Sequence, residues 1–433
     1  MENCQRSSNK LEKQLNSDEE MKGPYLEAAE EIKAQELQVP LPSEELKPAT
    51  QHELKTFQLP TSKEDGLAQA NEYEKQADDY YKKGNHAQAV VFHLKAVELR
   101  EAILEVNHPD LAKSYGALGL VYNVKGDYVL AEEFHKKALK IREEMLETNV
   151  TDLAKSYHGI GWVYYYKVDY ILALNYLSKA LKIRKENLHA MHPDLATSYY
   201  SLALVNDRIG DFDRSEEFHL MNVKIREGMP ETSYLDLAKS YHAIGWMYHC
   251  KLDYANAEKY LLMALKIRQE NLHTKHPDLA ASYHSMGWVH YSKEEYDSAL
   301  QYYSKALKIR NEILPAKHPD LATTYYGISW VYRGKEDYAS AEDYLSKSLN
   351  IRLEILDAKH PDLGKSYNGI GWVRYSKGDY ESAKEYLLKA LPIFEEVLDD
   401  KHPDRRSAYA NLVEVYTKLG DSSRPAYYRT KHS

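Results

Sequence analysis

Residues 159–170 read GIGWVYYYKVDY. A tryptophan, Trp162, and three consecutive tyrosines, Tyr164, Tyr165 and Tyr166, stand in a stretch with helical spacing. Read alone, it suggests an aromatic ligand pocket. The stretch is not unique, however. Variants follow as AIGWMYHCKLDY at 243–254, SMGWVHYSKEEY at 285–296, GISWVYRGKEDY at 327–338 and GIGWVRYSKGDY at 369–380. Self-similarity at a fixed period is read before any single motif, because it changes what each residue means.

The repeating unit is wider than the aromatic stretch. His-Pro-Asp begins at 108, 192, 276, 318, 360 and 402. Degenerate versions fall at Val150-Thr151-Asp152 and Tyr234-Leu235-Asp236, so all eight starts are 42 residues apart. A more divergent copy occupies 66–107, with Tyr73, Tyr80, Gly84, Ala89, Phe92 and Ala96 in register with Tyr115, Tyr122, Gly126, Ala131, Phe134 and Ala138.

Each unit reads as two helices. Tyr115, Leu118, Gly119 and Tyr122 follow the i, i+3, i+4, i+7 spacing of one helical face. Gly126-Asp127-Tyr128 marks a turn, and Ala131, Phe134, Ala138, Leu139 and Ile141 form a second apolar stripe. Pro109 suits a first helical position, where its missing N–H costs nothing, and Asp110 then faces the positive end of the helix dipole. Small residues at Gly119, Ala131 and Ala138 allow close approach of the paired helices. The fold class expected is all-α, a solenoid of antiparallel helix pairs.

Composition agrees and excludes some functions. The chain has 433 residues, 43% hydrophobic and 28% charged, an ordinary globular balance. Its net charge of -9 argues against general nucleic-acid binding. No apolar run approaches the ~18–20 residues that span a bilayer, so no membrane insertion is expected. The start, MENCQRSSNK, lacks the apolar region of a signal peptide. Only Cys4 and Cys250 are present, which suits a reducing, cytoplasmic location. Residues 1–65 carry 14 acidic against 8 basic side chains and prolines at 24, 40, 42, 48 and 60. They are expected to be a disordered acidic segment or linker. The spacing at Tyr25–Glu36 is compatible with a short helix.

The series Tyr115, Leu118, Gly119, Tyr122, Gly126, Tyr128, Ala131, Phe134, Ala138 resembles the tetratricopeptide (TPR) signature. The 42-residue period, with HPDLA at unit starts, is similar to the kinesin light chain and nephrocystin-3 type. The resemblance covers 66–424, some 83% of the chain. It implies a right-handed superhelix with a concave peptide-binding groove, and an architecture rather than an activity. Four copies depart at the turn glycine, with Val168, Leu252, Glu294 and Glu336 in its place. The copy at 192 has Ala203 in the small slot and Asn206 where most others have tyrosine. Pro392 is expected to kink the second helix of its copy. Ala410–Leu419 reads as a lone capping helix, ended by Gly420, Asp421 and Pro425, with 425–433 as a tail.

All five tryptophans, Trp162, Trp246, Trp288, Trp330 and Trp372, occupy one repeat position, directly after the small slot. One residue turns a helix by about 100°, so this position belongs to a second stripe. The stripe is Lys155, His158, Trp162, Tyr165; then Lys239, His242, Trp246, His249; then Ala281, His284, Trp288, Tyr291. It continues as Thr323, Tyr326, Trp330, Arg333, and Lys365, Asn368, Trp372, Tyr375. The resemblance implies that this face lines the groove. Two interpretations stay open. The large residues pack against the next helix and finish the solenoid, or they form a recognition ladder for an acidic segment with an aromatic or aliphatic anchor. The tyrosines at 115, 157, 199, 241, 283, 325, 367 and 409 read as core.

Other motifs are demoted by their periodicity. His-Pro-Asp marks a chaperone-partner loop when it occurs once, but six copies in phase make it a helix-start device. His189–His192 and His273–His276 lack the further ligands a metal needs. The ladder Arg100, Arg142, Arg184, Arg226, Arg268, Arg310, Arg352 reads as structural, pairing with acids such as Asp127 and Asp169. No phosphate loop or nucleophile motif is present, and no cofactor is expected. The leading function is a non-enzymatic interaction scaffold or adaptor. The alternatives are a regulatory or substrate-docking subunit of an enzyme complex, and autoinhibition by residues 1–65. Sequence alone leaves the oligomeric state open.

Overall fold

The computed structural model describes residues 62–145, 150–229, 234–398, 400, 402–421 and 423–432. Among them are eighteen α-helices. In chain order these are α1 (Lys63–Lys82), α2 (His86–Ile103), α3 (Pro109–Val124), α4 (Tyr128–Glu144), α5 (Val150–Tyr166) and α6 (Tyr170–Asn187). They continue as α7 (Pro193–Ile209), α8 (Phe212–Glu227), α9 (Tyr234–Cys250), α10 (Tyr254–Asn271), α11 (Pro277–Ser292) and α12 (Tyr296–Ile313). The last six are α13 (Pro319–Gly334), α14 (Tyr338–Ile355), α15 (Pro361–Ser376), α16 (Tyr380–Val397), α17 (Pro403–Lys418) and α18 (Arg424–His432). Contacts divide the chain into two compact units between Ser233 and Tyr234. In each, odd-numbered first helices pair with the following even-numbered helix, and the second helix of one pair packs on the first helix of the next. Each unit is a TPR solenoid stack.

The His-Pro-Asp motif works as a cap. In His108, His192, His276, His318, His360 and His402 the Nδ1 atom accepts the N–H of the aspartate two residues on, at 3.1–3.2 Å. That satisfies one of the orphan donors of the helix start, and proline at the first position lacks another. Second helices begin on Asp127, Asp169, Asp211, Asp253, Asp337 and Asp379, whose carboxylates accept a backbone N–H three residues on.

The core is tight where the small slot lies. A Cβ on Gly161 would meet Leu177 at 2.6 Å, and one on Gly245 would meet Leu261 at 2.6 Å. The tyrosine excess has its reason in ring pairs inside each repeat. Tyr122 stacks on Phe134 (5.6 Å, 2°), Tyr164 on Tyr176 (5.6 Å, 5°) and Tyr248 on Tyr260 (5.6 Å, 7°). Of the eight tyrosines read as core, Tyr115, Tyr199, Tyr241 and Tyr409 are buried, while Tyr157, Tyr283, Tyr325 and Tyr367 are half-buried. Their rings pack while their hydroxyls reach polar partners, as Tyr157 donates to Glu143 (2.9 Å) and Tyr409 to Glu395 (2.7 Å).

Three features differ from the sequence reading. The arginine ladder does not pair with Asp127 or Asp169, which are occupied as caps. Instead six of the seven guanidiniums staple one repeat to the next, Arg100 among them by donating to Ser114. Arg142, Arg184, Arg268, Arg310 and Arg352 donate to Ser156, Ser198, Ser282, Thr324 and Ser366 at 2.6–2.9 Å. Second, Ala410–Leu419 is not a lone cap. It lies largely within α17, which starts at Pro403, and α18 follows, because Asp421 accepts the Arg424 N–H (3.1 Å) and Pro425 suits a first turn. Third, the first helix starts before residue 66: Ser62 caps α1 by accepting the Asp65 N–H at 3.1 Å. α16 runs through Pro392 from Tyr380 to Val397. The suggested helix at Tyr25–Glu36 and the segment invoked for autoinhibition, up to residue 61, lie outside the described residues.

The turn between helices has positive φ in all nine repeats. Gly84, Gly126, Gly210, Gly378 and Gly420 adopt it, and so do Val168 (64°), Leu252 (62°), Glu294 (61°) and Glu336 (60°). A β-branched residue is strained there by roughly 1–2 kcal/mol. Val168→Gly is therefore expected to raise unfolding free energy by about 1 kcal/mol. Denaturant titration checks it; an unchanged or lower midpoint would refute the strain.

Candidate functional site

The predicted stripe lies along the first helices. In the N-terminal unit it is short. Lys155 is exposed, His158 and Trp162 are half-buried, and Tyr165 is buried beneath Arg208, whose Nε donates to the phenol at 2.9 Å. His158 Nε2 lies 2.9 Å from Ser201 Oγ and 3.3 Å from Trp162 Nε1. Trp162 also stacks on Tyr166 (5.6 Å). The irregular copy at 192 puts Asp207 at the fourth stripe position, where its carboxylate accepts from Ser215 and pairs with the buried His219 at 3.1 Å. Asn206 donates to the Leu202 carbonyl at 2.7 Å. These groups form a polar cluster internal to that repeat.

In the C-terminal unit equivalent tryptophans have unequal environments. Trp246 and Trp288 are 5% and 4% exposed, whereas Trp330 and Trp372 are half-buried. His242, His249, His284 and Tyr326 are buried, Tyr291 and Tyr375 are half-buried, and Lys239 is exposed. Lys365 is buried between two cap aspartates, 3.6 Å from Asp362 and 3.9 Å from Asp404. The Arg333 guanidinium sits over Trp330 (4.4 Å) and over Trp372 (3.8 Å), a two-sided cation–π contact.

Burial sets the electrostatics. It pushes His158 down to about 3 and His249 down to about 4. His242 is held well below the ordinary imidazole range, first by burial and then by the nearby Arg268 charge. At neutral pH these three imidazoles are uncharged. Asp362 is lowered to about 2, because Arg352, Lys365 and His360 outweigh its burial.

A pocket of about 330 Å³ opens beside Trp372 and Tyr375. Ala410, Asn411, Val413 and Glu414 of α17 and Arg429 of α18 complete it. Tyr375 donates to Glu414 at 3.4 Å, and Arg429 is exposed. The stripe argument missed Arg429. The 42-residue register carried the signal: the same slot holds Leu177, Leu261, Leu345 and Leu387, with histidine or tyrosine in the other copies, all buried, so an exposed arginine there breaks the core pattern. Among the described residues no group of three or more His, Cys, Asp or Glu is placed to hold a metal, and no helix is long and apolar enough to cross a membrane.

The sequence matches the tetratricopeptide repeat family over residues 68–144, 115–186, 152–227, 194–270, 236–312, 292–354, 333–396 and 362–424. No curated protein matches it. Among solved structures, the apo form of the quorum sensor NprR from B. thuringiensis is 17% identical, covering 85% of this chain and 97% of that one, with a TM-score of 0.59. A Rap protein complexed with Competence and Sporulation Factor is 16% identical over 83% of this chain and 99% of its own, with a TM-score of 0.52. A Podosopora anserina protein with kinesin light chain nearly identical TPR-like repeats is 19% identical over 46% of this chain and 94% of its own, with a TM-score of 0.40. The first two share the fold of helix pairs described above. With overlapping family matches running from residue 68 to residue 424, the chain belongs to the tetratricopeptide repeat family.

Proposed function

We propose that the chain is a non-enzymatic interaction scaffold that receives an acidic segment of a partner protein on the first-helix stripe. The anchor of that segment, aromatic or aliphatic, enters the pocket at Trp372. The observation that carries this is the unequal burial of equivalent tryptophans. Trp372 is half-buried beside an open pocket, and Arg429 stands exposed at its rim. Residues 403–433 hold six Lys and Arg against three Asp and Glu, within a chain of net charge -9. That local excess favours a carboxylate next to the anchor. Exposed Lys155 and Lys239 continue the same sign along the stripe of their own units. The mechanism is preorganisation: helices hold the indoles in register, so ordering falls mainly on the partner. The complex of a Rap protein with Competence and Sporulation Factor supports the fold as a carrier of bound factors.

The test is fluorescence anisotropy with short labelled acidic peptides bearing one Trp or Leu, alongside anchor-free and basic controls. Trp372→Ala and Arg429→Glu are each expected to weaken binding about tenfold or more, the scale of an interface anchor. Absence of binding across the acidic panel, or full affinity in Trp372→Ala, would sink the assignment.

A further inference from the structure

The closed part of the stripe has a local cause. Trp246 and Trp288 are covered where α9 and α11 meet, and histidines hold that junction. His242 Nε2 lies 2.8 Å from Ser285 Oγ and His249 Nε2 lies 2.9 Å from Ser292 Oγ, both crossing from α9 to α11. Within α11 the Trp288 indole N–H donates to His284 Nε2 at 3.0 Å. That bond uses His284 Nε2 as an acceptor. The three imidazoles are 5%, 2% and 0% exposed.

Their surroundings oppose added charge. His242 faces Arg268 of α10 and His284 of α11. His249 faces Tyr254 of α10 (5.5 Å) and the edge of Trp246 (5.2 Å). His284 meets Tyr303 of α12 at 5.1 Å. The carboxylates of Glu258 and Glu295 pair instead with His290, at 3.8 and 2.6 Å. The α13–α15 junction has no histidine in the stripe: Tyr326, Trp330 and Arg333 hold its positions on α13 and Asn368, Trp372 and Tyr375 on α15.

We propose that the α9–α11 junction is an acid-opened clasp: protonating His242 and His249 parts the two helices and uncovers Trp246 and Trp288. A charged His242 or His249 would lack the water that a cation needs. Parted, the rings hydrate and bind protons near their ordinary value of about 6.5. The Arg268 staple to Ser282 (2.6 Å) does not titrate and holds the α10–α11 corner as the hinge. Each of these two histidines contributes up to about tenfold per pH unit to the open-to-closed ratio, and together up to about a hundredfold. The clasp governs exposure of the stripe and does not depend on what binds there.

Hydrogen–deuterium exchange on the full chain at pH 7.5 and 5.0, corrected for intrinsic exchange rates, tests this alongside far-UV circular dichroism. The expected result is reversible loss of protection in 240–250 and 280–292 with helix content retained and α13–α15 unchanged. Uniform loss along the unit, or no loss until helicity collapses, would overturn it. In the variant His242→Gln, His249→Gln, the exchange of these segments should become independent of pH over that interval. Persistent acid opening in the folded variant would also overturn the clasp. Should the variant not fold, the wild-type comparison of the two junctions still decides.

Discussion

Replacing Arg310 with alanine is expected to cost about 3–5 kcal/mol of stability, as breaking a buried charged contact does. The Arg310 side chain is nearly inaccessible at the end of α12. It donates to Thr324 Oγ1 at 2.6 Å and to the Asp320 carbonyl at 3.0 Å, and its Nε lies 3.9 Å from the Asp320 carboxylate. Truncation removes these bonds and leaves an aspartate short of its countercharge. The chain contains its own apolar alternative. At the equivalent positions two repeats on, the arginine is Phe394 and the hydroxyl residue is Ala408, both fully buried. Gly364 there replaces the alanine of other copies, because a Cβ would stand 2.5 Å from the Phe394 ring. The triple change Arg310→Phe, Thr324→Ala, Ala280→Gly should therefore recover at least about 2 kcal/mol relative to Arg310→Ala, since a packed apolar set can stand in for a buried ionic one. Guanidinium midpoints at constant m-value measure both. A loss under about 1 kcal/mol for the single variant, or a triple variant no better than the single, would contradict the staple.

Acid should weaken the fold well before its carboxylates protonate. Burial, with a smaller push from Arg142, lowers His135 to about 4, and burial alone lowers His249 to about 4. Both folded values lie below the unfolded value of about 6.5. The unfolded chain binds more protons between these limits, so the contribution is complete above about 6.5 and fades as pH falls toward 4. For this pair the loss between pH 7 and pH 5 is about 4 kcal/mol. His135 occupies the slot that is Leu177, Leu261, Leu345 and Leu387 elsewhere. His135→Leu should therefore remove about half of that slope without unfolding the protein. Equal denaturation midpoints at pH 7 and pH 5, or a His135→Leu slope identical to wild type, would refute it.

The architecture was legible because it is written nine times. A 42-residue register, helical spacing of apolar positions, capping residues and turn signals are local properties, and repetition averages out departures such as Val168 or Asn206. The in-phase tryptophans were legible as one stripe for the same reason. What each side chain does across a junction was not, because it depends on which neighbour arrives. Sequence spacing points to Asp127 as a partner of the arginines, yet the backbone N–H of Leu130 claims it, and Ser156 across the junction meets Arg142. Residues with the same repeat position, Trp288 and Trp372, differ in exposure because His284 and the α9 junction cover one while a pocket opens beside the other. Sequence by itself determined the unit, its two helices and the faces they present, since these follow from short-range spacing. Only the tertiary structure decided which stripe residues are covered and where a pocket remains, since burial is set by contacts between residues about 40 positions apart.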